Sequence, residues 1–139
     1  MAASGVLFLW DDSFKVNIGL IDTQHKTLVS MINELHQAMT AGYGKEKLGK
    51  ILSNLINYTQ GHFTTEERLM QSHAYPDFHT HRAEHERLTG TVKDFQRRFL
   101  ANEVGLTVEV MGFLEDWLRK HILGSDKRYS PFLNAKGVR

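Results

Sequence analysis

Two stretches of this chain carry apolar residues at three- and four-residue spacing, and each stripe is broken by a pair of polar side chains four residues apart. His62 and Glu66 interrupt Leu48, Ile51 or Leu52, Leu55, Thr59 and Leu69 or Met70, while His81 and His85 lead a stripe of Leu88, Val92, Phe95 and Phe99. The spacing of the apolar residues is that of a helix with one buried face. Four residues along a helix bring two side chains onto the same face one turn apart, so each polar pair points into the interior together. Any fold for this chain must therefore bury both pairs and give them partners.

Two further stretches have the same helical period, and no strand pattern is present. The first helix is expected over residues 22–41, with Asp22 as N-cap and Leu28, Ile32, Leu35 and Met39 on one stripe. The second is expected over 45–71, the third over 78–100 after a turn at Tyr75-Pro76-Asp77, and the fourth over 106–123, carrying Val110 or Met111, Leu114, Trp117 or Leu118, then His121. Gly42, Gly44, Gly105, Gly124 and the two prolines mark the breaks. A chain of 139 residues suits one domain. The expected fold is all-α: an antiparallel up-down-up-down four-helix bundle over 22–126, with an extended N-terminal arm at 1–21 and a C-terminal tail at 127–139.

Eight histidines are present, and six of them fall between positions 62 and 121. A bundle core holding five imidazoles and two carboxylates needs many internal hydrogen bonds, because each unsatisfied polar group costs on the order of 1–3 kcal/mol. Two divalent cations remove that cost by taking up the imidazole lone pairs and neutralising the carboxylates. Cysteine is absent, so the ligands are imidazole and carboxylate, a set that favours iron, manganese or zinc. The remaining histidines act as internal controls. His79 is two residues from His81 and faces nearly the opposite way, and His73 sits at a helix end. His36 lies about 16 Å along the axis from His25 at 1.5 Å per residue, too far to share an ion with it.

Composition excludes other partners. Lys and Arg total 17 against 16 for Asp and Glu, which leaves no basic field for nucleic acid or an anionic membrane. The opening MAASGVLFL has no basic flank and is too short for a signal peptide or a membrane span, so a cytoplasmic protein is the simplest expectation.

With these residues placed, the chain resembles the hemerythrin family, in particular its single-domain bacterial members. The resemblance rests on Ile21-Asp22-Thr23-Gln24-His25-Lys26, on His62-Phe63-Thr64-Thr65-Glu66-Glu67-Arg68-Leu69-Met70, on Tyr75-Pro76 leading to His81-Arg82-Ala83-Glu84-His85, and on Trp117-Leu118 before His121-Ile122-Leu123-Gly124-Ser125-Asp126-Lys127. It implies two irons bridged by an oxo or hydroxo group: one held by His25 and His62, the other by His81, His85 and His121, with Glu66 and Asp126 bridging both. It implies reversible dioxygen binding at the vacant position of the first iron. His121 and Asp126 are five apart and about 140° out of phase on a regular helix, so a π-type turn or a helix end is expected near Gly124.

Leu28, Phe63, Trp117, Leu118 and Ile122 are within four residues of expected ligands, and are read as a dry oxygen pocket. Backbone carbonyls or Glu84 are candidates to orient the imidazoles, and Tyr129 to donate to a bridging carboxylate. The role implied is that of an oxygen carrier, store or sensor, with an oxygen-consuming protein as the acceptor. The alternatives are a di-iron enzyme scavenging peroxide or nitric oxide, a sensory domain of a signalling protein, and a structural zinc bundle. Imidazoles outnumber carboxylates five to two, unlike the carboxylate-rich sites of ferritin-like enzymes.

Overall fold

The computed structural model describes residues 7–139, so the first six residues of the expected arm lie outside it. Five α-helices follow in order: α1 (Gly19–Thr40), α2 (Lys45–Ser72), α3 (Phe78–Leu100), α4 (Val108–Lys120) and α5 (Lys127–Ala135), with a π-helical segment, His121–Asp126, joining the last two. The described residues contain no strand. None of their helices is long and apolar enough to cross a membrane. The long helices α1 to α4 form the four-helix bundle that the periodicity requires; α1 packs on α2 and α4, and α2 on α3.

Three helix ends within the bundle are closed by the same device. After α1, α2 and α3, a residue with positive φ lets two backbone N–H groups reach back to the last turn: Gly42 (φ 78°), Ala74 (φ 55°) and Asn102 (φ 63°). Gly42 takes that conformation freely, whereas Ala74 has a Cβ to accommodate.

Three expectations are corrected. The first helix begins at Gly19, with Ile18 as its N-cap; Asp22 sits in the first turn, where its carboxylate accepts from Val16 N at 2.8 Å. The fourth begins at Val108, because the Thr107 hydroxyl accepts from Val110 N at 3.2 Å and caps the helix there. The stretch 127–139 is not a tail. It contains α5, which buries Tyr129, Ser130 and Leu133.

Burial falls into two separate apolar clusters. The larger contains Leu28, Ile32, Leu35, Leu52, Leu55, Met111, Leu114, Leu118 and Ile122, and is joined by Phe8 and Phe14 from the arm. The smaller gathers Val16, Ile18, Ile21, Met70, Tyr75, Phe78, Tyr129 and Leu133, so that arm, α5 and the α2–α3 turn cap one end of the bundle. The arm is pinned at both places. Asn33 Oδ1 accepts from Leu7 N and Phe8 N at 3.0 and 2.8 Å while its amide donates to Phe8 O at 2.8 Å; further on, Ser130 Oγ donates to Val16 O at 2.5 Å. Along α1, α2 and α3 the polar core residues stand between members of the one cluster and members of the other.

Candidate metal centre

α1 contributes His25 to this polar layer, α2 His62 and Glu66, and α3 His81 and His85, while the π segment opens on His121 and closes on Asp126. A π-turn brings the chain back to one face after about five residues, where an α-turn needs fewer. It thereby removes the phase conflict between His121 and Asp126. All seven side chains are buried, the most exposed being His81 at 5 %.

The structure brings the seven together as two overlapping groups, each with its ligand atoms within 4.8 Å of one another: Glu66, His81, His85, His121 and Asp126 in one, and His25, His62, Glu66 and Asp126 in the other. Both carboxylates belong to both groups. One oxygen of Asp126 lies 2.9 Å from His25 Nε2, and the other lies 3.0 and 3.1 Å from His81 and His121 Nε2. Glu66 Oε1 lies 3.4 Å from His62 Nε2 and 3.2 Å from His85 Nε2.

The site has the chemistry of one built for cations. The Nδ1 of His85 faces a Glu67 carboxylate oxygen at 2.8 Å, and that of His121 faces Glu84 at 2.7 Å. Each Nδ1 is thereby placed to donate to a carboxylate, which turns the Nε2 atoms of both rings toward the other candidate ligands. Those two Nε2 atoms face each other at 3.1 Å, an arrangement that a positive ion relieves. His25 Nε2, His62 Nε2, His81 Nε2, Glu66 Oε1 and both Asp126 oxygens crowd together with contacts of 2.9 to 3.4 Å but no well-directed hydrogen bond among the described residues, although buried polar groups are almost always paired. Burial opposes a charge on His25, yet Asp126 and Glu66 hold its pKa up at about 9, while burial pushes His62 down to about 4. Burial also disfavours the ionised form of both carboxylates, but the surrounding imidazoles outweigh it and keep Glu66 and Asp126 below the ordinary carboxylate range.

Around this layer, Ser125 Oγ donates to both oxygens of Glu84 at 2.7 and 2.8 Å, and Tyr129 Oη donates to Glu66 Oε2 at 2.5 Å. Gln24 and Glu67, which sequence reasoning passed over, face His62 and His85; Gln24 Oε1 is 2.6 Å from His62 Nδ1. Their only signal was position, since each adjoins an expected ligand in the chain. His73 faces Leu69 O at 2.8 Å, and His79 is exposed. Neither belongs to the two groups, and nor does His36.

Aromatic side chains fix two of the rings. Phe63 stacks on His85 with centroids 3.8 Å apart and planes 4° from parallel, and Trp117 stacks on His121 at 5.2 Å and 12°. Leu28, Trp117 and Leu118 line an interior cavity of about 30 Å³ together with Ile32, Leu55 and Leu88, room for one or two water-sized molecules. Ile122 is wholly buried in the larger cluster. Phe63 and Ile122 lie outside the cavity lining.

A family model described as the hemerythrin HHE cation binding domain matches residues 16–133. The chain belongs to the hemerythrin family. It is 42 % identical over 122 residues to the bacteriohemerythrin of Methylococcus capsulatus, covering 88 % of this chain and 92 % of that one. It is 29 % identical over 122 residues to the myohemerythrin of Theromyzon tessulatum, covering 88 % and 90 %. A wild-type hemerythrin crystal structure superposes with a TM-score of 0.87 at 40 % identity, covering 92 % of this chain and 98 % of the other. The hemerythrin match ends at residue 133, inside α5. The end cap made by Tyr129 and Leu133 thus falls within the matched region.

Proposed function

We propose that this hemerythrin-family chain binds dioxygen reversibly at a pair of irons bridged by an oxo or hydroxo group. His25 and His62 would hold one iron and His81, His85 and His121 the other, with Glu66 and Asp126 offering oxygens to both. The observation that carries the proposal is the unequal division of donors: three imidazoles in one group, two in the other, with both carboxylates common to both. Two like ions served by unlike ligand sets leave one with a position to spare. When bound, the iron pair supplies the electrons for reversible reduction of dioxygen.

The residues of the chain do the rest. Glu66 and Asp126 bring two negative charges into a core closed to water, and they offset the charge of the cations there. Tyr129 holds one Glu66 oxygen by donating to it. Phe63 and Trp117 keep the His85 and His121 rings in plane. The cavity that Trp117 lines together with Leu28 and Leu118 is walled by aliphatic and aromatic carbon, with Thr59, Gln60 and Thr89 as its polar members. Storage and delivery to an oxygen-consuming protein are both compatible with such a site.

The test is spectroscopic. Iron added anaerobically at two equivalents, followed by oxygen, should produce a visible charge-transfer band that fades under vacuum and returns on re-exposure. A band that persists under vacuum, or sustained turnover of peroxide with an electron donor, would replace this reading with the enzymatic one.

A further inference from the structure

The imidazoles of the centre are not backed alike. On the three-imidazole side, His85 and His121 each give the Nδ1 proton to a carboxylate, Glu67 and Glu84, and Glu84 is held in turn by Ser125. On the two-imidazole side, His62 meets only the neutral amide oxygen of Gln24, and His25 Nδ1 is buried with no hydrogen bond among the described residues. A carboxylate drawing on the Nδ1 proton leaves more electron density at Nε2 and makes the ring a stronger ligand. An amide does this weakly, and an unpartnered ring gains nothing.

We infer that the two metal positions differ in affinity by construction: the ion among His81, His85 and His121 enters first and stays, and the ion between His25 and His62 exchanges. This rests on the two-ion reading above. The shared carboxylates widen the separation between the first ion and the second, while the unequal backing of the imidazoles sets which position fills first. A first ion receives the full charge of Glu66 and Asp126, whereas a second must share both and meet the repulsion of the first. The exchangeable position is also the one with fewer imidazoles, where the reading above would place dioxygen. A chain starved of metal therefore keeps one ion and loses the capacity to take up oxygen.

Full-length protein loaded with Co(II) as probe ion, then titrated with a competing chelator, should release metal in two phases of one ion per chain. Each carboxylate partner on one side and not the other should separate the phases by about 10–100-fold in affinity. X-ray absorption of the one-ion form should count three imidazoles. Gln24→Glu should narrow the gap by tightening the loose position, and Glu84→Gln should narrow it by loosening the tight one. Circular dichroism of each variant checks folding; should Glu84→Gln not fold, Ser125→Ala loosens the same anchor more gently. Release in a single phase, a one-ion form with two imidazoles, or a gap unmoved by Gln24→Glu overturns the inference. Binding of fewer than two ions per chain at saturation would instead remove the two-ion reading beneath it.

Discussion

Tyr129 buries its ring in the end cap and spends its hydroxyl on Glu66. Burial and the neighbouring carboxylate both raise its pKa, so it remains a donor throughout the ordinary pH range. Tyr129→Phe deletes a hydrogen bond to a charged, buried acceptor, and the metal-free protein should lose about 1.5–3 kcal/mol in urea denaturation. At this scale the sequence was most legible where geometry left few choices. The four-residue spacing of His62 with Glu66 and of His81 with His85 is enough, through the helical repeat alone, to put each pair on one face. Gln24 and Glu67 were not legible, because a polar residue on the flank of a helix usually ends in water, and only the neighbouring helix shows what it reaches.

Element by element, the π segment is where the backbone departs from the regular form. A π-turn holds one residue more than the α-turn it replaces, so inserting one alanine after Gly124 should leave Asp126 six residues from His121, about 120° off its face on a regular helix. Circular dichroism should then show helix content preserved, while metal analysis shows binding lost. The five-residue separation of His121 and Asp126 made this irregularity predictable, although a helix end was an equal candidate. The turn after α2 makes a different prediction. Ala74 adopts φ 55° with a Cβ that resists it, and Ala74→Gly should raise stability by about 0.5–1 kcal/mol, once the added freedom of the unfolded chain is subtracted from the strain relieved. A shift of the urea midpoint with unchanged slope is the measurement. α5 is hidden in the sequence because Gly124 and Pro131 both look like stops and its apolar residues are few. What makes it a core element is the partner surface of Ile21, Met70 and Tyr75.

For the molecule as a whole, four periodic stretches and short links were enough to specify the bundle, since amphipathic helices of similar length have few other ways to bury their stripes. The end cap was not specified, because it joins the first and last parts of the chain, residues 16–21 and 129–133, through contacts of long sequence separation. Its placement has a consequence for how the protein comes apart. The larger cluster is sustained by its own hydrocarbon, whereas the smaller one lies across a stratum of buried imidazoles and carboxylates. Chelation should therefore lower the melting temperature and, in hydrogen exchange, deprotect α5 and residues 16–21 well before the amides around Leu35 and Leu52. One end of the protein should then keep its order without metal while the other borrows it, so that a proteolytic cut near Lys127 would report whether a given molecule is loaded.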